Sequence, residues 1–249
     1  MNPILGIDVG ASGIKGALVD LEKGKLVGER FRVHTPQPAT PAAMATAFAE
    51  IIRFFEYSGP VGCGFPSIVR DGVALSAANI EKSWIGTNIE QVFGEACGCP
   101  VFATNDADAA GIAEMRYGVG KGENGLVLLI TIGTGLGTAL FYRGLMIPNT
   151  ELGHLIWKNN KPAEAWCSSG AREKLKFSRK EWARRFNEYL HHLELLFSPE
   201  LFILGGGESK YFEQYRETFD IKARVVPAQL LNNAGIIGAA AYAAESLNR

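Results

Sequence analysis

The sequence predicts an α/β protein of two lobes, each built on a mixed sheet flanked by helices, with a cleft between them. Two observations predict this class. Apolar strand segments alternate with segments of helical periodicity, and one strand–glycine turn–strand unit occurs at the N-terminus and again near residue 130. The predicted lobes are residues 1–108 and 109–233. The last segment, 234–249, is predicted as a helix that packs back on the first lobe.

The first half begins with strands. Ile4–Val9 and Ile14–Leu18 are apolar and flank a glycine-rich turn, and Lys25–Val33 alternates apolar and polar residues as a third strand. A helix follows, because Met44, Phe48 and Ile51 recur at helical spacing. The remaining predicted elements of this half are a strand over 61–66, a helix over 89–97, a strand over 101–103 and a helix over 106–117.

The second half repeats the opening pattern. Ile7-Asp8-Val9-Gly10 aligns with Ile130-Thr131-Ile132-Gly133, so the strand, glycine turn and strand are an internal duplication. Strands are therefore predicted over 125–132 and 138–142. The later predicted elements are a helical stretch over 163–197, a strand over 201–204 that ends at Gly205-Gly206-Gly207, and an alanine-rich helix over 234–247.

Composition excludes several classes of function. The formal net charge is −1, so no global field attracts nucleic acid. The N-terminus lacks the pattern of a signal peptide, and no apolar run approaches the ~20 residues that span a bilayer. Four cysteines are too few and too irregular for a disulfide framework, and Cys97 and Cys99 have no second pair at zinc spacing. The sequence predicts a cytoplasmic protein that binds neither membrane nor nucleic acid.

The two glycine turns are candidate phosphate-binding sites. Glycine lets backbone N–H groups approach phosphate oxygens, because no Cβ blocks them. Asp8, before the first turn, is a candidate to hold Mg²⁺ through water. A plain hairpin is the alternative for that turn, and neither turn matches a P-loop or a Rossmann fingerprint. The candidate phosphate-binding residues are Asp8, Gly10, Ser12, Gly13 and Lys15 in the first turn, and Gly133, Thr134, Gly135 and Gly137 in the second.

Two polar pairs are candidates for chemistry on a sugar. Asn105 and Asp106 lie between a predicted strand and helix, where a carboxylate can accept a proton from a sugar hydroxyl as it attacks phosphorus. The alternative is a helix N-cap, for which Asn and Asp are preferred. Glu151 and His154 can hydrogen-bond vicinal hydroxyls, although a lone histidine is more often structural.

Five motifs together resemble one known family. The chain resembles the ROK family (repressors, open reading frames and sugar kinases), and within it the polyphosphate/ATP glucokinase branch, over nearly its whole length. That resemblance implies a two-lobed actin-like ATPase (ribonuclease H-like) fold with a central cleft. The motifs are Asp8-x-Gly-x-Ser-x-x-Lys15, Asn105-Asp106, Gly133-Thr-Gly-x-Gly137, Glu151-x-Gly-His154 and Gly205-Gly-Gly207.

The resemblance also implies an activity and a set of roles. It implies phosphoryl transfer from polyphosphate or ATP to the 6-hydroxyl of glucose, with Asp106 as the catalytic base and Mg²⁺ as the cofactor. It places Gly205, Gly206 and Gly207 by the adenosine of ATP and implies a homodimer. The implied sugar-binding residues are Ser67, Asn79, Asn105, Asp106, Glu151 and His154.

The chain departs from the family in two places. Many members carry a cysteine-rich zinc motif after the histidine, whereas Lys158–Lys161 occupies that position here, so no zinc is expected. Repressor members carry an N-terminal helix-turn-helix, for which this sequence leaves no room before its first strand.

A basic stretch bears on the phosphoryl donor. It lies between Arg172 and Arg185 and contains only two acidic residues, Glu173 and Glu181. It is either a solvated helix face or a track for polyphosphate, since clustered cations concentrate a polyanion locally. The candidate track residues are Lys174, Arg179, Lys180 and Arg184.

Three alternatives to a glucokinase stay open. A kinase for mannose or for an N-acylated amino sugar would need the same groups. A non-catalytic sugar-binding regulator is disfavoured by Asp106. An actin-like filament ATPase is disfavoured by the short chain and by the pair Glu151 and His154.

Overall fold

The computed structural model of the chain describes residues 2–78 and 80–247. It forms two compact units, Met1–Ala113 with Asn233–Arg249, and Glu114–Asn232. We call them the first unit and the second unit. Within the described ranges, no helix combines the length and the apolarity needed to cross a bilayer. The predicted sugar-pocket residue Asn79 lies outside the described residues.

The first unit is built on a five-stranded sheet in the order β3-β2-β1-β4-β7. β1 pairs antiparallel with β2 and β2 with β3, while β4 lies parallel to both β1 and β7. Its elements are β1 (Ile4–Gly10), β2 (Gly13–Asp20), β3 (Lys25–Val33), α1 (Pro41–Phe54), β4 (Val61–Phe65), β5 (Val69–Arg70), β6 (Val73–Ala74), α2 (Ile89–Cys97), β7 (Val101–Asn105) and α3 (Asp106–Tyr117), which continues into the second unit. The last element of the chain, α7 (Ala234–Ser246), also belongs to it.

The core of the first unit lies between the sheet and helices α1 and α2. Phe48 of α1 stacks on Phe93 of α2 with ring centroids 4.2 Å apart, and both are fully buried. Trp84 closes this cluster and donates its indole N–H to the carbonyl of Ala39. Thr40 caps α1, with Pro41 at its first position, where a missing N–H costs no hydrogen bond.

Helix α7 packs directly on the strands through glycines. A Cβ at Gly6 of β1 would lie 2.0 Å from the carbonyl oxygen of Ile236, and one at Gly62 of β4 would lie 1.9 Å from that of Ala239. Those distances are far inside van der Waals contact, so the helix approaches the sheet only because both strand positions lack side chains.

The second unit repeats this architecture. Its sheet has the order β10-β9-β8-β11-β12, with the first three strands antiparallel and the last three parallel. The predicted duplication is therefore confirmed in strand order and direction. The elements after α3 are β8 (Leu126–Ile132), β9 (Leu136–Tyr142), β10 (Leu145–Ile147), α4 (Glu164–Cys167), α5 (Ser169–Lys174), α6 (Arg179–Phe197), β11 (Leu201–Gly206) and β12 (Arg224–Pro227).

The prediction of one continuous helical stretch over 163–197 is wrong, because the structure has three separate helices there, α4, α5 and α6. The chain breaks twice, at Ser168 and at Ser178, and each serine caps the helix that follows. Ser178 forms a complete capping box with Glu181, because each side chain accepts from the backbone N–H of the other residue. Trp182, Phe186 and Tyr189 of α6 are buried in the core of the second unit, whereas Leu196 near the end of the helix is 52% exposed.

Candidate active site

The first glycine turn lies between β1 and β2, and Asp8 lies two residues before it. Asp8 faces Lys15 across the strand pair, with Lys15 Nζ 3.5 Å from Asp8 Oδ2. Burial raises the pKa of Asp8, while the nearby cations Lys15 and Arg30 oppose that rise. Asp8 and Lys15, two separate candidates from the sequence, thus lie side by side at this turn.

Two side chains at the end of β3 and just beyond it fix the conformation of this turn. Thr35 Oγ1 donates to the carbonyl of Gly10 at 2.6 Å, and Arg32 Nη2 donates to that of Ser12 at 3.1 Å. A Cβ at Gly13 would lie 2.5 Å from Arg32 Nε, so the guanidinium lies against the glycine. Neither Thr35 nor Arg32 was a candidate from sequence, because no motif in the chain ties them to residues 10–13.

Asn105 and Asp106 lie at the junction of β7 and α3. Asn105 Oδ1 accepts from the backbone N–H groups of Ala107 at 2.8 Å and Asp108 at 3.1 Å. The alternative that Asn105 caps the helix is therefore observed. Asp106 Oδ1 accepts from the N–H of Ala107, so the carboxylate lies at a helix N-terminus, where the backbone dipole favours negative charge.

The other candidates of the first unit are largely committed to protein contacts. Asn105 Nδ2 donates to the carbonyl of Ser67 at 3.0 Å, and Asn105 is only 7% exposed. Ser67 Oγ contacts the carbonyls of Ile68 and Ser76 at 2.9 and 2.7 Å and accepts from the N–H of Ser76. The geometry gives Ser67 and Asn105 a clear structural task, which is to hold the 67–76 segment against the β7–α3 junction.

The second glycine turn joins β8 to β9. The N–H of Gly133 donates to the carbonyl of Gly135, and the N–H of Gly170 in α5 donates to the carbonyl of Gly133. A Cβ at Gly170 would lie 2.5 Å from the carbonyl oxygen of Thr134, so α5 packs directly on the turn. A carboxylate also reaches it, because Glu164 Oε2 accepts from the N–H of Leu136 at 3.2 Å.

Glu151 and His154 lie in a short 3₁₀ turn after β10, with His154 Nε2 3.6 Å from Glu151 Oε2. Both side chains are partly exposed, at 45% for His154 and 29% for Glu151. Gly153 between them packs on the second glycine turn, since a Cβ there would lie 2.1 Å from the carbonyl oxygen of Leu136. The structure thus brings the predicted sugar pair next to the predicted phosphate turn within the second unit.

Glu164 belongs to the same cluster and was missed from sequence. Burial raises the pKa of Glu151, His154 opposes the rise, and the negative charge of Glu164 adds to it. Glu164 is thus close enough to act on Glu151 electrostatically while it accepts a hydrogen bond from Leu136. Only the fold shows this, because Glu164 opens the short helix α4, outside any predicted motif.

The glycine run Gly205–Gly207 at the end of β11 is followed by a buried carboxylate, that of Glu208. Gly206 has φ +79°, and a Cβ there would lie 2.4 Å from the carbonyl oxygen of Ile132, so glycine is required at this position. Glu208 is 3% exposed, and its two oxygens bind Ser169, Arg172 and Arg179. We call these four residues the Glu208 clamp. It ties helices α5 and α6 to the Gly205–Gly207 segment.

The clamp changes the interpretation of the basic stretch in part. Arg179, a predicted track residue, binds Glu208 at 3.0 Å and stacks over Tyr211 with its Cζ 3.4 Å from the ring centroid. Lys174, Lys180 and Arg184 are exposed. The predicted track therefore divides into one cation that stabilises the fold and three that face solvent.

In the described part of the chain, no group of three or more His, Cys, Asp or Glu side chains is placed to hold a metal ion. Three of the four cysteines are buried, Cys97 is half-buried, and all four are free thiols.

Two units of equal strand order, each with a glycine turn between its first two strands, define the two-lobed actin-like ATPase fold. The ROK family matches residues 4–176. The polyphosphate glucokinase of Mycobacterium tuberculosis (strain ATCC 25618 / H37Rv) is 48% identical over 94% of this chain and 89% of its own length. The chain belongs to the ROK family.

Solved structures of the family agree with this assignment. The inorganic polyphosphate/ATP-glucomannokinase from Arthrobacter sp. strain KM is 48% identical with a TM-score of 0.95, covering 99% of this chain and 100% of that one. A ROK family glucokinase from Streptomyces griseus, solved in complex with glucose and AMPPNP, is 25% identical with a TM-score of 0.81, covering 98% and 99%. The fold class predicted from the sequence is confirmed.

Proposed function

We propose that this protein is a glucokinase that transfers a phosphoryl group from polyphosphate or ATP to the 6-hydroxyl of glucose. The observation that carries the proposal is 48% identity, over nearly the whole chain, to a polyphosphate glucokinase and to a polyphosphate/ATP-glucomannokinase. The site geometry supports it, since each unit carries a glycine turn with polar or charged groups beside it.

Asp106 acts as the general base. Its carboxylate lies at the N-terminus of α3 and would accept the proton of the attacking hydroxyl. Asn105 and Ser67 hold the junction that carries it, so Asp106 keeps its position when a sugar binds. A fixed base of this kind contributes roughly 10²- to 10⁴-fold to the rate.

Glu151 and His154 bind the sugar hydroxyls, with Glu151 as acceptor and His154 as either donor or acceptor. Asn79 stays a proposed sugar contact from the resemblance. The glycine turns around Gly10, Gly13, Gly133 and Gly137 bind the donor phosphates, Lys15 neutralises charge there, and Gly205–Gly207 lie by the adenosine when ATP is the donor.

The residues present fit a magnesium ion that arrives with the donor. Mg²⁺ takes one or two carboxylates together with substrate phosphates, and Asp8 provides one carboxylate beside the first glycine turn. Asp8 would hold the ion through water. When bound, the ion neutralises charge on the donor phosphates.

We further propose a cytoplasmic homodimer. Four free cysteines suit a reducing compartment. The end of α6 exposes Leu195 and Leu196, at 79% and 52%, and a dimer contact would cover such apolar side chains. Light scattering on the purified chain tests the assembly, with a monomer mass as the refuting result.

The decisive test is sugar phosphate formation from glucose with Mg²⁺ and either polyphosphate or ATP. We expect Asp106→Asn to keep glucose affinity within about twofold and to lose roughly 10²- to 10⁴-fold in turnover. Asp20→Asn is the control, because Asp20 lies at the opposite end of β2 from the glycine turn. Parallel loss of binding and turnover would give Asp106 a structural role, and no product from either donor would refute the proposal.

Mannose is a second candidate acceptor, because the related Arthrobacter enzyme is a glucomannokinase. A panel of glucose, mannose and an N-acylated amino sugar, each at equal concentration, distinguishes these acceptors.

A further inference from the structure

Three cations lie on β2 and on the edge strand β3 of the first sheet, beside the first glycine turn. Arg32 of β3 is opposite Lys15 of β2, and Lys15 is opposite Asp8 of β1, so Asp8, Lys15 and Arg32 share one face of the sheet. Arg30 lies beside the register shift of the β2–β3 pair, on the other side of Phe31 from Arg32, and its charge acts on Asp8. We call Lys15, Arg30 and Arg32 the β3 cation row.

The opposite face of β3 belongs to the core. Phe31 stacks on Phe54 of α1 with ring centroids 3.9 Å apart, which directs the alternate residues Arg30 and Arg32 away from that core. Both arginines are exposed. The first turn of α7, which packs near Asp8, contains no acidic residue.

The β3 cation row begins at the proposed phosphate site, where Arg32 contacts the first glycine turn. Arg32 donates to the carbonyl of Ser12 and lies against Gly13, so its guanidinium touches the turn that is proposed to bind the transferred end of the donor. Its remaining N–H groups are available for the flat, paired hydrogen bonds that guanidinium makes with phosphate oxygens. Arg30 precedes Arg32 on the same strand and extends the positive charge along β3.

We propose that the β3 cation row binds the phosphate residues of a polyphosphate donor that lie beyond the transferred one. The inference rests on the proposed function and names the residues that receive one of its two donors. Polyphosphate carries charge on every residue and has no base to recognise, so a line of cations suits it. ATP presents only three phosphates and ends in adenosine, so the outer part of the row has nothing to bind in that donor.

The arginines of the basic stretch that already contact protein groups are weaker candidates for this role than Arg32. Arg172 and Arg179 are held by Glu208, and Arg185 lies between Trp166 and Phe177, with its Cζ 3.9 and 4.1 Å from the two ring centroids. These guanidinium groups already have protein partners, which a phosphate chain would have to displace. Arg32 in contrast keeps its bond to Ser12 while it binds phosphate.

The test compares two donors in matched variants. The variant Arg30→Gln should raise KM for long-chain polyphosphate about tenfold, since each charged hydrogen bond contributes about a factor of ten, and should change KM for ATP less than threefold, since Arg30 lies outside the glycine turn that both donors use. Arg30→Lys should restore part of the polyphosphate affinity. Arg53→Gln, at the exposed end of α1, removes the same charge from the same unit and should change neither KM.

Chain length and direct binding complete the test. The loss should be smaller with tripolyphosphate, which does not extend past the turn, and smaller at high salt, where exposed charges are screened. Calorimetry with long-chain polyphosphate alone should show the same weakening. The rate of the wild-type protein with glucose and polyphosphate tests the proposed function separately. If KM rises equally for ATP and polyphosphate, or if the calorimetric affinity for polyphosphate is unchanged, the proposal that the β3 cation row binds polyphosphate is wrong, even when the wild-type rate is high.

Discussion

Replacement of Glu208 by alanine should destabilise the second unit by about 3 kcal/mol. The side chain is 4% exposed, and its oxygens accept from Ser169 Oγ at 3.1 Å, Arg172 Nη2 at 3.2 Å and Arg179 Nε at 3.0 Å. Removal of one member of a buried ion pair costs about 3–5 kcal/mol, because the remaining charge stays desolvated. The arginines are 17% and 28% exposed, so water reaches them and the lower end of that range applies.

The chain contains a matched control for this substitution. Glu213 lies on the same 3₁₀ segment and pairs with Arg216 at 3.2 Å, but the two side chains are 73% and 56% exposed. Glu213→Ala should therefore change stability by less than about 1 kcal/mol. Glu208→Gln, which keeps the shape and an acceptor, should fall between the two alanine variants.

Urea unfolding monitored by tryptophan fluorescence measures the difference, because three of the four tryptophans, Trp157, Trp166 and Trp182, lie in the second unit. The double variant Glu208→Ala/Arg179→Ala should cost less than the sum of the single changes, since it removes one of the unpaired charges. If Glu208→Ala and Glu213→Ala shift the midpoint equally, the clamp contributes no more than a surface pair and the reasoning is wrong.

Two further predictions concern a close contact and a titration. Gly62→Ala should cost about 3 kcal/mol or more, because its Cβ would lie 1.9 Å from the carbonyl oxygen of Ala239, whereas Gly64→Ala in the same strand meets its nearest atom at 3.4 Å and should cost less than about 1 kcal/mol in the same unfolding assay. Burial and Glu164 raise the pKa of Glu151, so its carboxylate takes up a proton at a higher pH than an ordinary glutamate. As the pH falls, KM for glucose should therefore begin to rise at a higher pH than an ordinary glutamate would give. Glu164→Gln removes one cause of the raised pKa and should move that rise in KM to lower pH; if the pH dependence of KM is unchanged in this variant, protonation of Glu151 does not control glucose binding.

Local sequence signals predicted most of the framework. The repeated strand–glycine–strand pattern predicted both hairpins, and the helices predicted over 89–97 and 106–117 match α2 and α3 to the residue. The breaks within 163–197 were not predicted, because the apolar periodicity of the segment continues across them. The capping-box spacing of Ser178 and Glu181 is the local signal that marks the second break.

The sequence could not predict contacts between residues far apart in the chain. Arg32 reaches Ser12 across 20 positions, and Glu208 joins Arg179 across 29. Such contacts depend on strand order and helix packing, which periodicity does not specify. The same limit applies to Glu164, whose relation to Glu151 and Leu136 requires the fold of the second unit.

The position of α7 affects how the chain folds during its synthesis. The first unit needs residues after 233, yet the ribosome synthesises them only after the whole of the second unit. Until then, Gly6 and Gly62 present a bare sheet face that the alanines of α7 later cover. The second unit is continuous, so it can complete its core first although it is encoded later. A chain truncated after Asn233 and released from the ribosome should therefore resist protease in residues 114–232 and be cleaved within the first unit.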